Sequence, residues 1–97
     1  MTLNSMNQEV NKLYRIKTIM NYNGTYRLDG NYPKRLGAVG EIISDIEKDL
    51  CLVFRYEDGH GDLVTSHIRD YSGVKDKTNL LIKTQNSIYE FELIRDE

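Results

Sequence analysis

The chain is poor in the features that would make its chemistry easy to name. It has a single cysteine, Cys51, in 97 residues. That excludes an internal disulfide and any metal cluster built from cysteines alone, and it fits a reducing compartment. No apolar run approaches the ~18 residues needed to span a bilayer. Residues 1–10 are polar and lack the apolar segment of a secretory signal. The cytoplasm is the expected location. Neither sign of charge dominates: the net charge is -2 and the isoelectric point is near 5.7. Such a balance argues against a protein that coats nucleic acid or anionic lipid, since both need a cationic surface. A P-loop, a Gly-x-Gly-x-x-Gly turn and zinc-ligand spacings are all missing. No cofactor is expected.

What is present is ordinary globular material, 39% hydrophobic and 29% charged. A chain this long buries roughly two-thirds of its unfolded surface, enough for one core. The charges are unevenly spread. Residues 1–40 hold six cations against two acids, and residues 41–97 hold seven against thirteen. The contrast marks a binding face only if folding keeps the two halves apart.

Hydrophobic alternation predicts a mainly β fold, a small five- to six-stranded bent sheet or barrel over residues 14–95. Residues 1–13 form an arm. Ser5 and Gln8 resemble a capping box, so a short helix over 6–13 and a frayed terminus both fit. Residues 14–18 read as a first strand with Tyr14 and Ile16 inward. Ile16 and Ile19 are out of phase for one face, which calls for a bulge or twist between them. Asn23-Gly24 is a hairpin signal, and residues 25–28 read as a returning strand that sets Ile19 opposite Leu28 and Met20 opposite Arg27. In the loop over 29–34, Pro33 is expected to hold Tyr32 extended.

The organising stretch runs from Arg35 to Asp70. Leu50, Leu52, Phe54 and Tyr56 share one face of a central strand, and Cys51 and Val53 the other. Of two possible registers for the following hairpin, apolar matching favours a loop over 57–61. It pairs Phe54 with Val64 and Leu50 with Ile68, turning Val64, Ser66 and Ile68 inward and His67 outward. The alternative pairs Phe54 with Thr65 and Leu52 with His67. Residues 70–79 read as a polar loop. Residues 80–85 and 88–93 form a hairpin about an Asn86-Ser87 turn, with Thr84 opposite Tyr89, Lys83 opposite Glu90, Ile82 opposite Phe91 and Leu80 opposite Leu93. This hairpin echoes the composition of residues 16–28.

Leu36-Gly-Ala-Val-Gly-Glu-Ile42, followed by Val53-x-Arg55 and an Asp58-Gly59 turn, resembles the glycine-turn-strand element of Src-homology-3-like small barrels, the KOW type included. The likeness covers residues 34–68. It implies a strongly bent barrel that binds protein or nucleic acid without catalysis. The proline-peptide groove of the signalling members has no counterpart in this chain.

Chemistry candidates are few. Glu57, Asp58, His60 and Asp62 gather carboxylates and an imidazole in a glycine-rich loop, but calcium loops need alternate ligands and a distant bidentate Glu. Solvated turn charges are the simpler reading. His60 or His67 with Asp62 or Asp70 can be drawn as an acid–base pair, yet with Ser66 inward and His67 outward no triad forms. Cys51 beside leucines reads as a packed small hydrophobe. No catalytic role is expected.

Binding remains. Tyr22, Tyr26, Arg27, Tyr32, Lys34 and Arg35 offer aromatic faces for bases beside cations for phosphates. The same tyrosines serve equally as anchors for a protein partner, with Glu57, Asp58, His60 and Asp62 meeting its basic groups. The acidic balance favours a protein partner, with nucleic acid as the alternative. An inhibitor or adaptor from a phage or prophage of an AT-rich genome fits the short Asn-, Ile-, Tyr- and Lys-rich chain.

Overall fold

The computed structural model describes residues 12–73 and 79–95. The arm over 1–13 therefore lies almost wholly outside the described residues. Six strands form a closed antiparallel barrel: β1 (Leu13–Met20), β2 (Val39–Ile42), β3 (Cys51–Tyr56), β4 (Asp62–Ser72), β5 (Asn79–Thr84) and β6 (Ile88–Arg95). Each strand pairs with the next, and β6 returns to β1. A single helical turn, α1 (Tyr32–Arg35), lies between β1 and β2. Among the described residues no helix is long and apolar enough to cross a membrane.

The interior is filled by alternate residues of the strands. Ile16, Leu52, Phe54, Ile68, Ile82 and Phe91 are completely buried. Phe54 and Phe91 meet at the centre with ring centroids 5.4 Å apart. Tyr14 and Ile16 of β1 face inward as alternation requires, and so does Ile19. The expected irregularity between them exists: on β6, Ile16 is opposite Phe91 while Thr18 is opposite Glu90. Lys17 is the extra residue of a bulge, and its insertion brings Ile19 back into the core.

Four local expectations change on folding. Residues 25–28 do not form a strand; the return from the Asn23-Gly24 turn is one bridge between Met20 and Tyr26. The Arg27 N–H donates to the Ile19 carbonyl at 2.9 Å, so Tyr26, rather than Arg27, stands opposite Met20. Tyr32 is not extended but opens α1, because proline's fixed φ suits a first helical turn as well as an extended chain. Leu50 precedes β3 and is exposed. Asp49 just before it has φ +73°, a turn conformation that breaks the strand's alternation.

The β3–β4 hairpin is tighter than the apolar match predicts. Val53 is opposite Val64, Phe54 opposite Leu63 and Arg55 opposite Asp62. Leu63 and Thr65 therefore face inward, while Val64 is exposed and Ser66 is half-buried. A bulge past Val53 then shifts the ladder, setting Cys51 opposite His67. The Thr65 hydroxyl accepts the Leu52 N–H at 3.1 Å and donates to the Ser66 carbonyl at 2.8 Å. One side chain thus satisfies the broken ladder, which explains why a threonine is tolerated in the core. Beyond the bulge the Ile68 N–H donates to the Leu50 carbonyl at 2.8 Å, so the expected proximity of those two residues survives.

Within the span 70–79 expected as a polar loop, Asp70, Tyr71 and Ser72 instead continue β4 and pair with Lys83, Ile82 and Leu81. Asn79 begins β5, and residues 74–78 lie outside the described residues. In the last hairpin the turn moves back by one residue. Leu80 is opposite Phe91, Leu81 opposite Glu90, Ile82 opposite Tyr89 and Lys83 opposite Ile88. Because partners shift by two, the same side chains still face the core. The Thr84 hydroxyl selects this register: it accepts the Asn86 and Ser87 N–H groups at 3.3 and 3.2 Å and donates to the Ser87 carbonyl at 3.1 Å. Those bonds require Thr84 and Ser87, both buried, to flank the turn.

Candidate binding face

The segment from Asn21 to Ala38 packs over one end of the barrel and carries most of the cationic candidates. Its centre is Tyr32. The Arg27 and Arg35 guanidinium carbons lie over the Tyr32 ring, 4.2 and 4.7 Å from its centroid. Cation–π contacts of this kind are worth about 0.5–1 kcal/mol at exposed sites. Arg27 also reaches the β5–β6 turn, where its Nη1 donates to the Asn86 carbonyl at 2.5 Å and to Ser87 Oγ at 3.0 Å. Its Nη2 meets Asp29 Oδ2 at 3.3 Å. The hydrogen bond from Arg27 holds the Asp29 carboxyl below its ordinary range. Arg27 Nε is the one buried side-chain polar atom without a partner among the described residues. Tyr22 donates its hydroxyl to the Thr84 carbonyl. Tyr22, Arg27 and Tyr32 thus tie the segment to the barrel.

The other candidates are differently placed. Arg35 Nη1 donates to the Tyr89 hydroxyl at 2.8 Å, while Lys34 is exposed on α1. Across from them stands the β3–β4 turn. Lys34, Arg35, Asp58, His60 and Asp62 line one cleft of about 380 Å³, whose walls include Ala38, Tyr56 and Leu63. The cation-rich and acid-rich halves of the sequence therefore interleave here. Within the acidic side, the His60 imidazole is 3.1 Å from Asp58 Oδ1, and Arg55 Nε is 3.1 Å from Asp62 Oδ1. Glu57 is exposed beside the cleft, and its backbone N–H donates to the Val39 carbonyl at 2.9 Å.

Among the described residues no group of three or more His, Cys, Asp or Glu side chains is placed to hold a metal ion. Cys51 is half-buried and faces exposed His67 across the β3–β4 ladder, and among the described residues His67 has no ion pair to a carboxylate. Asp70 spends one carboxylate oxygen on the Tyr71 N–H, 2.9 Å away.

A second hollow, about 320 Å³, is lined by Lys17, Thr18, Tyr26, Leu28 and Leu36. Tyr26 is 62% exposed and Leu28 is 70% exposed, unusually high for such large apolar side chains brought together. Tyr26 is among the residues the sequence offers for binding, whereas Leu28 reads as part of a strand that does not form and Leu36 as part of the glycine-turn motif. The available signal was Leu28 itself, an apolar residue directly before Asp29-Gly30.

Burial raises the Tyr89 phenol above its ordinary value of 10.0, against the opposing pull of Arg35. The folded state then holds this proton more tightly than the unfolded chain, so stability is lost as the pH rises through about 10 towards the folded value. Tyr89→Phe should flatten that alkaline decline, as read from urea midpoints at pH values on either side of 10. An unchanged slope would assign the decline to other groups, such as Tyr56, whose phenol burial also raises.

The candidate face thus has an apolar ledge at Tyr26, Leu28 and Leu36 and a charged cleft at Lys34, Arg35, Asp58, His60 and Asp62. No family model matches the chain, and comparisons with curated proteins and with solved structures find no match.

Proposed function

We propose that the protein is a non-catalytic module that binds another protein, acting in the cytoplasm as an inhibitor or adaptor of phage or prophage origin. The observation that carries the reading is the ledge of Tyr26, Leu28 and Leu36, large apolar side chains that are exposed and lie outside the core cluster of the described residues. Exposed aromatic and aliphatic groups of this kind anchor protein interfaces. The nucleic-acid alternative draws less support, because the Tyr32 ring is already stacked on by guanidinium groups and Arg27 is spent on the Asn86-Ser87 segment. The likeness of residues 34–68 to Src-homology-3-like barrels belongs to the same proposal.

Affinity capture from nuclease-treated bacterial lysate tests it. The wild-type protein should retain a discrete protein, and Leu28→Asp should weaken that retention about tenfold or more. The same substitution should change folding stability by no more than about 0.5 kcal/mol, as surface changes do. Retention that requires nucleic acid, or that Leu28→Asp leaves unchanged, would overturn the reading.

A further inference from the structure

The cleft beside α1 holds charges that the fold leaves uncompensated. Asp62 is neutralised by Arg55. Lys34 has no carboxylate partner among the described residues, and Arg35 is bonded to a neutral phenol. Opposite them, Asp58 is joined to His60 and to no lysine or arginine among the described residues. Two cations therefore face one carboxylate that is bonded only to His60 among the described residues, across a hollow of about 380 Å³ floored by Ala38, Tyr56 and Leu63. This volume lies at the small end of ligand pockets.

We propose that this cleft receives an acidic side chain of the protein partner, held by Lys34 and Arg35, with a neighbouring basic side chain of the same partner on Asp58. Resting on the protein-binding reading above, the assignment adds the chemistry of the bound segment. A carboxylate suits the geometry because the Arg35 guanidinium keeps donors beyond the one used on Tyr89, and such bonds between charged groups are the strong ones. A polyanion does not suit it, since Asp58, with no lysine or arginine partner among the described residues, lines the same cleft and would repel further negative charge. The dipolar walls select a segment of mixed sign. Leu36 of the ledge directly follows Arg35 of the cleft, so a partner lying on one is within reach of the other.

Titration of isotope-labelled protein with short capped peptides, followed by amide chemical shifts, tests the assignment. The probes are a peptide carrying Glu next to Lys, its Gln-for-Glu counterpart, inorganic phosphate and an oligothymidylate. The Glu–Lys peptide should shift the amides around Lys34, Ala38 and Leu63 saturably, and the Gln counterpart should bind about tenfold more weakly. Lys34→Gln, which removes no contact within the barrel, should weaken the Glu–Lys peptide by a similar factor. Asp58→Asn should weaken the Glu–Lys peptide as well, by removing the group that holds its Lys. Equal binding of the Gln peptide, tighter binding of phosphate or oligothymidylate at the same amides, or no shift at millimolar peptide would each overturn the assignment. The two readings fail separately. If Lys34→Gln and Asp58→Asn leave lysate capture intact while Leu28→Asp abolishes it, the carboxylate site falls and the binding module stands.

Discussion

Replacing Gly40 by alanine should destabilise the protein by about 3 kcal/mol or more and leave little of it folded. The reason is space, since Gly40 has an ordinary negative-φ backbone. It lies opposite Tyr56 in the β2–β3 ladder, with Phe54 beneath it. A Cβ there would fall inside contact distance of the Arg55 carbonyl oxygen, 2.9 Å from its carbon and 3.0 Å from Phe54 Cε2. A flexible side chain could yield, but a carbonyl fixed in a ladder cannot. The methyl would force β2 off β3 or drive Phe54 from the core. A urea midpoint within about 0.5 kcal/mol of wild type would mean that β2 does not lie this close to Arg55.

Phe91→Ala should cost about 3–5 kcal/mol, the range for emptying a buried aromatic site. Phe91 is fully buried and sits where β6 meets both neighbours, opposite Ile16 of β1 and Leu80 of β5. Its ring contacts Phe54 at 5.4 Å and stacks on Tyr89 at 5.9 Å between centroids. Small domains have only about 5–15 kcal/mol in total, so this substitution removes a large share of it. Thermal denaturation should register a fall of about 4–8 °C per kcal/mol. A loss below about 1 kcal/mol would show that the barrel repacks around the gap, which closed ladders on both sides of β6 should prevent.

The sequence disclosed which side chains go inside more reliably than which residues face each other. Ile16, Phe54, Ile82 and Phe91 follow from period-two alternation, because burial of one face is a property of each strand alone. Registers depend on turn chemistry. Apolar matching placed Phe54 opposite Val64, whereas the tighter turn sets it opposite Leu63 and the bulge past Val53 then returns the ladder to the matched register at Cys51. The last hairpin kept its faces and lost its partners, because the Thr84 hydroxyl outweighed the Asn86-Ser87 turn signal. The bulge at Lys17 was readable because Ile16 and Ile19 could not share a face without it. The binding face was half legible. Lys34, Arg35, Asp58, His60 and Asp62 were singled out, but their convergence on one cleft needed the closed barrel. Tyr22, Arg27 and Tyr32 looked free as sequence and are fastened in the fold, since nothing local foretells a bond to Thr84 or Asn86.

The pairing of β1 has a consequence for the order of events during synthesis. Against β2 it pairs only at Tyr14 and Arg15, while against β6 it pairs from Leu13 to Met20. Among the described strands, the first to be made thus has its main partner in the last. Until β6 emerges, the row of donors and acceptors on β1 must be satisfied by water or by something else that binds extended chain. The remaining strands can add as successive hairpins, each joining its predecessor, but the ring cannot shut. Closure of the barrel is therefore held back until β6 has been made, and the nascent chain is exposed for that interval to whatever recognises an unpaired strand.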